Sequence, residues 1–227
     1  MPWKELNSAK PDVVEALTSL QTFFNDWKIQ LNDSKTEFIM FSKSTKMLSM
    51  TRSDTISFNN QKFQWKPVVK YLGLMLDSKL LFKNHVDYSL KKANGVCFAT
   101  LYCLLNRKSP VTVDSKIRIY KSHIRPILTY GCPVFANAAK THINKLQLLQ
   151  NKILRMIFDI NWTDFTSTSS IHDSAKIPTI TEFIARLTDK FYRKISYHPS
   201  ILYATLGQYN YESLNFRVKH KLPKPLM

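Results

Sequence analysis

The chain has 227 residues, 44% hydrophobic and 12% aromatic, which supports a real core and excludes wholesale disorder. Its 33 Lys+Arg against 16 Asp+Glu leave a net charge of +17. A compact chain tolerates such an excess best beside an anionic partner, nucleic acid first and an anionic membrane surface second. Only Gly73, Gly95, Gly131 and Gly207 are glycine, too few and too far apart for a phosphate loop or dinucleotide fingerprint. Cys97, Cys103 and Cys132 have no zinc spacing, and no apolar run reaches the ~18 residues of a membrane helix. An odd cysteine count and an N-terminus, MPWKELNSAK, without a secretory apolar core predict reduced thiols and an intracellular protein of nucleus or cytoplasm, with no membrane partner.

Along the chain, Pro11 and Asp12 are expected to open a helix, with Val13, Leu17, Leu20, Phe24 and Trp27 on one face. Asn32-Asp33-Ser34 is turn chemistry. Glu37–Ser42 suits a strand, although periodicity alone does not distinguish it from helix. Thr45–Asp54 is expected as a loop. Ile56–Phe58 and Lys62–Gln64 flank Asn59-Asn60-Gln61 as a hairpin, and Val68–Leu76 is a further strand.

From Asn84 the pattern turns helical. Val86, Leu90, Ala93, Cys97, Leu101 and Leu104 mark one helix. Val113, Ile117, Tyr120 and Ile124 mark a second, opened by Thr112 and ended or kinked by Pro126. A third carries Ile143, Leu146, Gln150, Ile153 and Ile157. A fourth, opened by Pro178, carries Ile180, Ile184, Leu187, Phe191 and Ile195. Asn161–Ser170 between them is a polar loop. Short connections predict an antiparallel bundle. The fold class is therefore α+β, with strands in residues 1–77, helices in 78–197 and a basic tail in 198–227.

No catalytic cluster stands out. The sixteen acids are dispersed, with no Asp-x-Asp pair, and two-metal phosphoryl transfer needs carboxylates that meet. No Gly-x-Ser-x-Gly elbow occurs. The strongest physical signal is the segment 91–125. It holds Lys91, Lys92, Arg107, Lys108, Lys116, Arg118, Lys121 and Arg125 against one acid, Asp114. Arg118, Lys121 and Arg125 fall at spacings of three and four on one helix face, beside the apolar face. Such a face suits phosphate contacts that position a protein without reading bases; an ordinary solvated helix face gives the same pattern.

Several blocks, in order, carry a family resemblance. They are Leu31-Asn32 with Lys35-Thr36, Lys70-Tyr71-Leu72-Gly73, Lys116–Ser122, Ile124–Gly131, Lys145–Gln147 and Gln150–Arg155. Over roughly Pro11–Ile195 they resemble the palm edge and thumb of reverse transcriptases of jockey-like non-LTR retrotransposons. The resemblance implies a strand-containing palm remnant followed by an all-α thumb-like bundle that holds template–primer: RNA, DNA or their hybrid. It implies that Lys35 lies where the family places a lysine beside the incoming nucleotide, a vestigial catalytic position; a solvated turn lysine is the plainer reading. It implies that Lys70, Tyr71 and Gly73 belong to the hairpin gripping the primer end; a strand bulge at Gly73 is the alternative. It adds Lys152 and Arg155 to the nucleic-acid contacts.

In that family an aspartate-rich metal site precedes this stretch, whereas Met1–Pro11 holds no aspartate. The expectation is a polymerase fragment with a binding thumb, no catalytic residue and no metal ligand. Magnesium is expected only for an intact relative. The fragment would associate with the missing polymerase portion. The alternatives are a non-enzymatic helical interaction module or a decayed reading frame without selected function.

Overall fold

The structure, a computed structural model, describes residues 2–30, 32–58, 61–161 and 163–196. The expected basic tail lies outside these residues, as do Leu31 and the Asn59-Asn60 turn. The chain divides into two compact units between Leu80 and Leu81.

The first unit opens with α1 (Pro2–Asp26), which begins earlier than the sequence suggests. Pro2 takes the first turn, where a missing N–H costs nothing. Pro11 is inside the helix and forfeits one backbone bond. The helix survives because its flank is held: α1 packs on α2 (Thr45–Met50) and β1 (Thr55–Phe58), and Lys10, next to the proline, pairs with Asp54. Helix α2 lies in the expected loop. Ser44 caps it, its Oγ accepting from Met47 N at 3.3 Å, a signal that a polar composition conceals.

The strand expected at Glu37–Ser42 is reduced to a single parallel bridge between Phe38 and Trp65. Its backbone bonds go to two different partners, Lys66 N to Phe38 O at 2.7 Å and Ser42 N to Ser78 O at 3.0 Å, so no ladder develops. Ring contacts hold it instead, Phe38 lying 5.3 Å from Phe63 and 6.2 Å from Trp65 between centroids.

Two antiparallel hairpins complete the unit. β1 pairs with β2 (Gln61–Gln64), Phe58 opposite Gln61, as expected. The single strand expected over Val68–Leu76 is a second hairpin, β3 (Val68–Tyr71) with β4 (Leu74–Asp77). It turns at Leu72 and Gly73, with φ of 47° and 84°. Two successive left-handed residues match the twist of the flanking strands. Gly73 is therefore a turn glycine and not a strand bulge.

In the second unit the first two apolar patterns are helical, but neither is one α-helix. α3 (Lys83–Asn94) passes into a π segment, Gly95–Thr100, before α4 (Tyr102–Leu105). α5 (Val113–Ile119), capped by Thr112, passes into a π segment, Tyr120–Ile124, before α6 (Arg125–Thr129). Pro126 falls just beyond that segment: the wider turn accommodates the donor that proline lacks, and the chain stays helical. Gly131, at φ 69°, turns the chain into α7 (Cys132–Phe135).

α8 (Lys140–Ile157) is the core helix. Ile143, Leu146, Leu149, Gln150, Ile153, Leu154 and Ile157 are all buried. It packs against α3, α5, α9 (Thr168–Ala175) and α10 (Ile180–Ser196). α9 occupies the end of the expected polar loop, capped by Ser167. Polar side chains join α8 to the α9–α10 link. Gln150 Nε2 donates to Pro178 O (3.1 Å), Ile180 N donates to Gln147 Oε1 (2.8 Å), and buried His172 contacts Asn151 Oδ1 (3.0 Å) and Ile177 O (2.9 Å). α3 and α8 run in the same sense, since Asp87 meets Lys145 and, further along both, Phe98 meets Lys152. They are the first and third of the four expected helices, and in an up-and-down succession alternate helices share a direction.

This core generates two stability predictions. Ile153→Ala, at a fully buried position, should lower unfolding free energy by about 2–5 kcal/mol, and Leu148→Ala, 60% exposed on the same helix, by less than about 0.5. Urea titration separates them. The other concerns His85, 1% exposed, whose Nε2 donates to Tyr130 O at 3.3 Å. Burial pulls its pKa below the ordinary 6.5, partly offset by that hydrogen bond. The unfolded chain therefore takes up a proton near pH 6.5 that the folded chain resists. Stability should fall as pH drops below that value, at no more than about 1.4 kcal/mol per pH unit from this group. His85→Gln should flatten that slope; an unchanged slope would refute the assignment.

Candidate nucleic-acid interface

A helix has two edges beside its buried face, and the α3–α8 pair lines up one edge of each. On α3 and its π extension, Asp87, Lys91 and Phe98 follow helical spacing along the flank outside buried Val86, Ser89 and Ala93. On α8, Lys145, Leu148, Lys152 and Arg155 follow at three, four and three, outside its buried row. Two contacts fasten these rows. Lys145 Nζ is 2.7 Å from Asp87 Oδ1, and Lys152 Nζ lies 4.6 Å from the Phe98 ring centroid. Lys91, between Asp87 and Phe98, is exposed, as are Lys92, Leu148 and Lys152.

The strip continues past the C-terminal end of α8. Arg107 Nη1 reaches Asp159 Oδ1 at 3.9 Å, a loose, solvent-exposed pair that leaves most of its charge to the surface. Arg155 Nη2 donates to Thr166 O at 2.8 Å, which fixes its guanidinium beside the loop after α8. Lys91, Lys92, Lys108 and Lys152 have no carboxylate partner among the described residues. Asp87, the one acid along the α3–α8 rows, is already paired.

The remaining expected contacts are dispersed. Lys116 is 4% exposed and donates from Nζ to Asn106 O at 2.8 Å, tying α5 to the end of α4. Arg118 is exposed. Arg125 stacks over Phe183 of α10, 4.0 Å from the ring centroid, and burial lowers its pKa. Lys121 is half-buried. The expected row Arg118–Lys121–Arg125 is thus broken. The π segment between Ile119 and Arg125 holds more residues per turn than an α-helix, so spacing of three and four no longer marks one face. In the first unit, Lys70, Tyr71 and Gly73 lie at the β3–β4 tip, where Tyr71 and Leu72 are 63% and 74% exposed. Lys35 is exposed in a 3₁₀ turn organised by the Asn32 carbonyl, which accepts from Lys35 N (3.1 Å) and Thr36 Oγ1 (3.0 Å).

Lys145 and Leu148 belong to the strip although the sequence pattern alone did not single them out. The signal was present: they lie on the row flanking the apolar one, at the same spacings. Among the described residues no three His, Cys, Asp or Glu side chains stand together as metal ligands. No helix among them is long and apolar enough to cross a membrane.

The chain is similar to reverse transcriptases of non-LTR mobile elements over most of its length. It is 28% identical over 204 residues to the RNA-directed DNA polymerase from mobile element jockey of Drosophila melanogaster, covering 90% of this chain and 21% of that protein. Against the jockey polymerase of Drosophila funebris, identity is 28% over 202 residues, 86% of this chain and 21% of the relative. Against the probable RNA-directed DNA polymerase from transposon BS of Drosophila melanogaster, it is 31% over 199 residues, again 86% and 21%. The chain spans about a fifth of the length of these curated relatives. No family model and no solved structure matches it.

The thiols offer a further check of the helical unit. Burial pushes Cys97 and Cys132 up to about 11, with Lys152 partly opposing the shift at Cys97. Cys103 is exposed. A maleimide should therefore modify Cys103 alone in the native protein and all three thiols after unfolding; rapid native labelling at Cys97 or Cys132 would contradict the packing.

Proposed function

We propose that this chain is the palm-edge and thumb-like segment of a non-LTR reverse transcriptase, and that its helical unit holds nucleic acid by the phosphate backbone without reading sequence. The observation that carries this is the α3–α8 strip: exposed Lys91 of α3 and exposed Lys152 of α8 on neighbouring helices, with Lys145, Arg155 and Arg107 extending the row and Lys92 exposed next to Lys91 in sequence. Lysine point charges along a helical edge suit the charge spacing of a sugar–phosphate backbone; the two arginines stand at its end, Arg155 held by Thr166 O and Arg107 beside Asp159. Similarity to RNA-directed DNA polymerases supports the choice of a nucleic acid over other polyanions.

In this reading the chain performs no nucleotide addition by itself. Lys35 can supply charge to a phosphate, yet the reaction also needs metal-bearing carboxylates, and magnesium enters only with an intact polymerase. The first unit would complete its packing against the remainder of such a polymerase. Exposed Leu20 and Phe23 on α1 and Trp27 just after it, with Phe41, Tyr71 and Leu72, support that arrangement. The same exposed row favours a second reading, a helical interaction module whose ligand is a protein.

Salt dependence separates the two. Replacing Lys91, Lys92 and Lys152 with glutamine should weaken binding to unrelated duplexes about equally. It should also flatten log affinity against log salt by roughly two to three units, at about 0.9 per lost phosphate contact on B-form DNA. Glutamine keeps helix propensity close to that of lysine, and circular dichroism checks the fold. A folded triple variant with unchanged affinity and slope would remove the strip from the interface.

A further inference from the structure

The loop between α8 and α9 holds an unusual side chain. Phe165 is 106% exposed, the whole ring in solvent. Its neighbours are not loose. On one side Asp164 Oδ2 accepts from Asn161 N at 2.9 Å, and Asp164 N donates to Asn161 O at 3.1 Å. On the other, Thr166 O receives the Arg155 guanidinium, and Ser167 caps α9. The ring is thus carried between two pinned residues, so little chain entropy remains to be lost on contact with a ligand.

The chemistry around it narrows the ligand. Thr163, Ser167 and Thr168 are exposed and polar, unlike the apolar surround of a buried protein–protein anchor. Arg155 and Arg107 stand at this end of α8, and the loop lies where the strip of Lys91, Lys145 and Lys152 runs out. Of the carboxylates in this stretch, Asp164 accepts from a backbone N–H and Asp159 is loosely paired with Arg107. A flat aromatic face beside a row of cations is the pairing that single-stranded nucleic acid uses, a base on the ring and its phosphates on the cations. A duplex keeps its bases stacked on each other and offers no such face.

We propose that Phe165 is a stacking platform for an unpaired base, at the end of the strip that tracks the backbone. The proposal rests on the phosphate-binding reading of that strip and adds what it leaves open, the strand state of the nucleic acid at this end.

The test uses the whole chain, a labelled oligothymidylate, an abasic strand of the same length and a blunt duplex. Phe165→Ala should weaken oligothymidylate binding roughly five- to a hundredfold, the range for loss of one aromatic–base stack. The log-salt slope should not change, and abasic-strand and duplex affinities should stay close to wild type. Phe165→Trp should bind oligothymidylate at least as well as wild type. Full exposure makes misfolding of these variants a minor concern. Unchanged oligothymidylate affinity in Phe165→Ala, or an equal loss on all three probes, overturns the proposal while the strip stands. If wild type binds none of the probes in a salt-dependent way, the phosphate-binding reading falls and this one with it.

Discussion

One helix in the second unit must satisfy two incompatible surroundings. α8 buries seven residues along one face, including Gln150, and presents a row of cations with Leu148 on the neighbouring edge. The angular room for both is small: each residue advances the helix by about a quarter turn, so core and cations alternate within every turn. Gln147 and Gln150 settle the rotation of α8 about its axis. Their amides meet the backbone of Pro178 and Ile180, and only one rotation satisfies both. Because those bonds are part-buried, rotating the helix would strand polar groups away from water. The position of Lys145, Lys152 and Arg155 follows from that rotation. The surface charge is therefore placed by core polar contacts, not by any interaction of its own.

A similar logic governs the small first unit. Its hairpins are short and its third extended segment makes only one bridge, so the backbone ladder contributes little. The rings of Phe38, Phe63 and Trp65, with buried Ile56 and Phe58, supply the apolar contact that remains. That is a thin core for the length of α1, whose outer face carries Leu20 and Phe23 into solvent, followed by exposed Trp27.

Periodicity located most helices of the second unit, because a long apolar row at helical spacing arises from little else than a buried helix face. It found the third helix with its core residues, the fourth with buried Ile180 and Ile184 but an exposed Phe191, and the first hairpin from its polar turn. It missed α2 and α9, which are too short to show a row and are announced only by Ser44 and Ser167 at their caps. It read Val68–Leu76 as one strand because Leu72 carries no turn signal of its own, although Gly73 does. The cationic strip was legible in part. Lys91, Lys152 and Arg155 could be named, but their adjacency depends on α3 and α8 lying side by side, which no local pattern states. The row proposed on α5 failed for a different reason. It assumed a uniform turn, and the chain changes its turn there.

Those changes of turn bear on how such a chain accumulates change. A π segment is an α-helix that has taken in one residue beyond its regular repeat. The helices on either side of Gly95–Thr100 and Tyr120–Ile124 already meet the core in phase, with Ala93, Cys97 and Leu105 buried in the first and Ile117, Ile124 and Leu128 in the second. Loss of one codon within either segment can close the wide turn into an ordinary one and leave the downstream positions where they were. The same loss inside α8 would swing every later residue by about 100° and exchange core for surface. Tolerance to deletion is thus unevenly distributed, concentrated in two short stretches and absent from the helix on which the surface charge depends.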